Sequence, residues 1–206
     1  MASLEMGRSS MIVDEEKGKI YKAVALLGES LNSDCDEDHY QFIIGGAIKF
    51  LHRPEWGIGQ TIPKCRVITG NEAFLIAKRD CLLETQLIDA EPLSGLASID
   101  ESTAEQLEYF LQRCAVMAEV TKKNGEIVLP DLLGGVVHPP KNGVFHNFIV
   151  ENGTGKLWFV DVYPLACLKR GKIRSDYAAI LQKTGERYGD RVKEATRQLV
   201  AVIMSK

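Results

Sequence analysis

The chain has 206 residues, is 45% hydrophobic and 26% charged, and carries a formal net charge of −3. That length and balance suit one domain or one bilobed unit with a genuine apolar core, and they exclude a disordered or fibrous chain. The slight acidity supplies no field that would draw in nucleic acid or an acidic membrane surface.

The five cysteines, Cys35, Cys65, Cys81, Cys114 and Cys167, are scattered and odd in number. They form neither a CxxC pair nor a zinc spacing, so no disulfide framework is expected and a reducing, cytoplasmic compartment is the simplest reading. Delivery into a host cytoplasm without a classical signal peptide would leave the same trace. No apolar run reaches the length of a signal-peptide core or a membrane span, so no span is expected. The basic stretch Lys169-Arg170-Gly171-Lys172-Ile173-Arg174 reads as a solvated loop.

In chain order, residues 1–12 are small and polar and are expected to be disordered. Ile20, Val24, Leu27 and Leu31 recur at helical spacing and predict a helix over Glu15–Leu31. Short β-rich runs follow at Tyr40–Ile44, Ala47–Leu51, Cys65–Thr69 and Ala73–Ala77, with Gly70-Asn71 as a hairpin turn between the last two. The second half is more helical. Asp100, Ser102 or Thr103 can cap a helix carrying Leu107, Phe110, Leu111, Cys114, Val116 and Met117, which ends at Asn124-Gly125. An apolar run, Ile127–Leu133, leads into a long loop marked by Gly134-Gly135 and Pro139-Pro140. A second hairpin is predicted from Val144–Val150 and Lys156–Tyr163, and two helices close the chain, over Ser175–Gly185 and Gly189–Met204. The class is therefore α+β with two subregions.

Two groups of residues carry chemistry. In the first, Gly57 and Gly59 stand one residue apart in Trp56-Gly57-Ile58-Gly59-Gln60-Thr61. Such glycines let backbone N–H groups approach a phosphate, and Lys78, read as the end of a strand, could add a point charge. In the second, Asn147 opens one strand of the later hairpin and Asp161 closes the other. A hairpin can bring their oxygens together, and hard oxygen ligands suit Mg²⁺ whose remaining ligands are water and phosphate.

Together the order Gly57-Ile58-Gly59, Val67, Ala77-Lys78, Asn147, Asp161-Val162-Tyr163 resembles the protein-kinase fold, and Asn147–Asp161 is the closest part of the likeness. The resemblance covers about half the chain. It implies a minimal bilobed protein-kinase-like fold, with a β-rich N-terminal lobe near 13–95 and a reduced helical C-terminal lobe near 96–206. It also implies ATP and Mg²⁺ as cofactors, Gly57, Gly59 and Lys78 at the nucleotide, and Asn147 and Asp161 at the metal. The acceptor is unspecified, and a protein substrate or partner is one class the likeness admits. The sequence departs from the pattern in places. No His-Arg-Asp occurs, the usual base position is Asn142, and Val162-Tyr163 replaces Phe-Gly after Asp161. Asp131 or His146 would then have to serve as the base, and Glu84 or Glu91 as the carboxylate partner of Lys78. A pseudokinase that binds nucleotide or acts as a scaffold, and an unrelated α+β interaction domain, are the alternative readings.

Overall fold

The computed structural model describes residues 2–6, 9–24, 36–123, 125–134 and 144–205. The chain divides into two compact units, one reaching Phe50 and resuming over Pro63–Ile88, the other made of Leu51–Ile62 and the chain from Asp89 onward.

The first unit is a five-stranded antiparallel sheet with two helices. Its elements are β1 (Ala2–Met6), β2 (Ser9–Asp14), β3 (Lys19–Val24), α1 (Glu37–Leu51), β4 (Cys65–Thr69), α2 (Gly70–Ala77) and β5 (Cys81–Gln86). The strand order is β1-β2-β3-β5-β4, so the chain leaves the sheet after β3, passes through α1, and returns at the far edge. Burial follows a period of two along β3, where Tyr21 and Ala23 are buried. They join Ile68, Ala73 and Leu82 in a core that Ile12, Ile76 and Ala77 flank.

Several expectations fail here for identifiable reasons. Strands β1 and β2 occupy residues expected to be disordered. Over Glu15–Leu31 the described residues form a turn and then β3, not a helix, because Tyr21 and Ala23 set the burial rather than Ile20 and Val24. The strands expected at Tyr40–Ile44 and Ala47–Leu51 are the single helix α1, whose buried residues Tyr40, Ile44, Ala47 and Leu51 follow helical spacing. Gly70-Asn71 is no hairpin turn. Gly70, at φ 61°, opens α2, and its N–H donates to the carbonyl of Asp80 at 2.9 Å. Cys81 is disulfide-bonded, unlike the free thiols of Cys65, Cys114 and Cys167, and its partner lies outside the described residues.

The second unit contains β6 (Ala90–Pro92), α3 (Glu101–Thr121), β7 (Glu126–Pro130), β8 (Phe148–Glu151), β9 (Leu157–Phe159), β10 (Leu165–Lys169), α4 (Lys172–Gly185) and α5 (Asp190–Met204). Asp100 caps α3 by accepting the Thr103 N–H at 2.7 Å. Helix α3 buries Leu107, Phe110, Leu111, Cys114, Met117 and Ala118, and α5 packs against both α3 and α4. Strands β6, β8 and β9 form one small antiparallel sheet, and β7 pairs with β10 in another. Phe110 meets Phe148 edge-on at 5.0 Å and stacks on Phe159 at 5.5 Å, so the β8–β9 hairpin rests on an aromatic floor. The architecture is mixed α+β. Among the described residues no helix is long and apolar enough to cross a membrane.

Candidate functional site

The best-organised polar cluster of the second unit lies where β7 ends and the β8–β9 hairpin begins. Strand β7 is held by β10 up to the pair Pro130–Leu165, and Asp131 follows at once. Asp131 is 3% exposed. Its Oδ1 accepts the N–H of Leu133 at 3.3 Å, a short-range bond that folds the chain into a turn. The next amide, that of Leu132, donates to the hydroxyl of Tyr177 on α4 at 3.1 Å. Tyr177 is wholly buried, and burial first, then the negative charge of Asp131, pushes its hydroxyl well above the ordinary pKa. It therefore stays neutral and serves as a fixed acceptor.

Asn147 enters from the other side. Its Nδ2 donates to the main-chain carbonyl of Asp131 at 2.6 Å, across 16 residues of chain. Its own carbonyl accepts the N–H of Val160 at 2.9 Å, one step beyond the pair Phe148–Phe159. The hairpin thus sets Asn147 opposite Val160, and the half-buried Asp161 follows next in the chain. His146 is exposed at the rim. Gly134, at φ +74°, backs onto it so closely that a Cβ there would stand 3.0 Å from the Cβ of His146. The structure therefore brings Asn147 to Asp131 and sets His146 against Gly134 of the same turn, while Asp161 lies two residues beyond the end of β9. The loop positions Asn142, His138, Pro139 and Pro140 lie outside the described residues.

Amide and carboxylate oxygens such as those of Asn147 and Asp161 are hard ligands of the kind Mg²⁺ takes together with water and phosphate oxygens. Asn147 spends its Nδ2 on Asp131 and leaves Oδ1 as the acceptor. Among the described residues no group of three or more His, Cys, Asp or Glu side chains is arranged to cage a metal.

The glycine pair and Lys78 behave differently from expectation. Gly57 and Gly59 belong to the second unit and Lys78 to the first. Gly57 closes a 3-10 turn at φ 68°, and its N–H already donates to the carbonyl of Pro54 at 3.1 Å. The turn is pinned to α3, with Arg113 Nε donating to the carbonyl of Trp56 at 2.7 Å and the Tyr109 hydroxyl to that of Gly57 at 3.4 Å. No strand ends at Lys78. It terminates α2 in the left-handed region, φ 54°, with its ammonium 4.7 Å from the centre of the Phe74 ring. Neither expected carboxylate serves it. Glu84 is taken by Lys19 at 2.8 Å and Arg66 at 3.1 Å, and Glu91 lies on β6 of the other unit.

Sequence reasoning passed over two residues that the structure brings forward. Lys22 lies on β3, on the face opposite Tyr21 and Ala23 by strand alternation, and its charge is felt by the thiol of Cys65. Burial outweighs that charge and pushes Cys65 up to about 11. Lys22 was hidden inside what read as a helix. Tyr177 looked like one more apolar helix residue, and only the fold places its hydroxyl beneath Leu132. No known protein family matches the chain, and no curated protein is a recognisable sequence relative.

Proposed function

We propose that this protein is a minimal kinase-like phosphotransferase that uses ATP and Mg²⁺. The observation that carries the reading is the bond from Asn147 Nδ2 to the Asp131 carbonyl, in a hairpin whose other strand ends at Phe159, two residues before Asp161. It ties two of the residue types that kinase-like transfer requires, the acid and the amide, and the carboxylate of Asp161 lies one residue beyond Val160, whose N–H the Asn147 carbonyl accepts. The first unit supports the same reading, with five antiparallel strands and a helix following the third. In kinases the phosphate-contacting lysine sits on that third strand. Lys22 lies on the third strand of this unit.

In this reading Asn147 Oδ1 and Asp161 hold the ion, which neutralises charge on the phosphate oxygens when bound. Asp131 accepts the proton of the acceptor hydroxyl, a contribution of roughly two to four orders of magnitude in rate. Tyr177 and Asn147 fix the Asp131 backbone, so the carboxylate need not reorganise as charge develops. The acceptor is an alcohol, and a protein side chain is one such acceptor.

A second reading has its own support. The Asp131 side chain is 3% exposed and its Oδ1 already accepts from Leu133, which suits a structural carboxylate in a nucleotide-binding module that no longer transfers. Thermal shift with ATP, with and without Mg²⁺, tests both readings. A ligand present at 100 times its Kd adds about 2.7 kcal/mol to the native state. Mg²⁺-dependent stabilisation lost in Asp161→Ala is expected under either, and its absence at millimolar nucleotide overturns both. Phosphate transfer to an added protein acceptor, abolished in Asp131→Asn, separates the enzyme from the binding module.

A further inference from the structure

The basic stretch after β10 is not the solvated loop expected from sequence. Lys172, Ile173 and Arg174 form the first turn of α4, and Arg174 is only 5% exposed. Its Nε and Nη2 are buried and have no hydrogen-bond partner among the described residues. These two nitrogens form one edge of the guanidinium, the pair that presents parallel N–H groups to a single oxyanion. A buried, unpaired charge costs several kcal/mol, and a fold retains one where something outside the chain completes it. The charge of Arg170, which has the same sign, also acts on Arg174. Burial first, and that repulsion second, lower the pKa of Arg174.

The surroundings suit an anion. Helix α4 runs for 14 residues, no side chain caps its N-terminus, and its first turn carries no acidic residue. Side chains in a helix lean toward its N-terminus, so Arg174, the third helical residue, is inclined toward the free N–H groups of the first turn. Lys169, Arg170 and Lys172 precede it in the chain and add positive charge to this segment, with Glu126 pairing Lys169 at 3.2 Å and Asp176 two residues after Arg174. A single carboxylate would leave most of this charge unanswered, whereas a dianion uses it.

We propose that Arg174 and the N-terminal turn of α4 form a binding site for a phosphate monoester or free phosphate, with the Nε–Nη2 edge as a bidentate fork on two phosphate oxygens. This site stands whether or not the protein transfers phosphate. Arg174 and Tyr177 lie three residues apart on the buried side of α4, and Tyr177 holds the Leu132 amide. An anion at the fork therefore sits one helical turn from the anchor of the Asp131 turn.

The test is a titration of wild type and Arg174→Met with inorganic phosphate, and separately with end-blocked phosphoserine, at ionic strength held constant with chloride. Saturable thermal stabilisation and a saturable shift of the Arg174 Nε–H resonance are expected in the wild type. Arg174→Met should show no stabilisation, while being at least as stable as wild type in chloride alone, because it no longer buries an unpaired charge. Should that variant misfold, Arg174→Lys keeps the charge without the fork, and its affinity should fall at least about tenfold. Tenfold tighter binding of phosphoserine would identify a phosphorylated side chain as the ligand, and equal binding would identify free phosphate. No response of the wild type to either anion, or an equal response in Arg174→Met, overturns the site.

Discussion

The side chain of Asn147 reaches the backbone of Asp131, not its carboxylate, at 2.6 Å. The bond is buried and satisfies a carbonyl that water cannot reach. Asn147→Leu should therefore destabilise the protein by about 1–3 kcal/mol, the cost of leaving a buried acceptor unmet. Asn147→Asp should also lose the bond, because an ionised carboxylate cannot donate. Urea unfolding of both variants checks this, and an unchanged midpoint in Asn147→Leu would remove the bond from the account.

Tyr177→Phe removes the acceptor of the Leu132 amide while keeping the ring in the core. The expected cost is again about 1–3 kcal/mol, with faster hydrogen exchange concentrated at Leu132. If transfer activity is found, kcat should fall more than KM changes, since Tyr177 positions Asp131 without touching substrate. Rapid exchange at Leu132 already present in the wild type would contradict this role.

Gly134→Ala meets two obstacles. The φ of +74° costs a residue bearing a Cβ about 1–2 kcal/mol, and the Cβ of His146 would lie 3.0 Å from the new methyl. His146→Gly in the same chain should recover the part due to crowding and leave the part due to φ. Thermal unfolding of the single and double variants separates them, and full recovery would show that backbone strain is absent.

Glu84 makes a pH prediction. Burial pushes its pKa up, but hydrogen bonds from Arg66 and Lys19 outweigh burial and hold it below the ordinary 4.5. A carboxylate held low in the folded state adds stability at all pH values above its ordinary pKa. That stability is lost as pH falls through the lowered value. The wild type should exceed Glu84→Gln by on the order of 1 kcal/mol near neutrality, because both cations are partly exposed and solvent screens them. The difference should shrink below pH 4.5. A difference that grows on acidification would refute the assignment.

The second unit was more legible in the sequence than the first. Helix α3 declared itself through Asp100 and a long amphipathic face, and β8–β9 through apolar runs around Asn152-Gly153. In the first unit, exposed apolar residues blurred the period. Phe42 is 76% exposed within α1 and Leu75 is 76% exposed within α2, so both helices read as nearly continuous apolar runs that resemble strands. Around Asn147 and Asp161 the hairpin that joins them was visible because its contacts are local in sequence. Tyr177 and Arg174 were not, because their partners or orphaned nitrogens depend on chain packing between distant segments. Lys78 was misplaced once α2 was read as a strand.

The Asp131 turn is shaped by contacts to its main chain, from Asn147 to one carbonyl and from Leu132 to Tyr177. The Asp131 side chain adds a third tie, to the amide of Leu133, so the turn needs an acceptor oxygen at this position but not a charge. An amide side chain offers the same oxygen without the charge, so a lineage could exchange Asp131 for asparagine and keep all three ties. Charge and shape at this turn are thus open to separate selection.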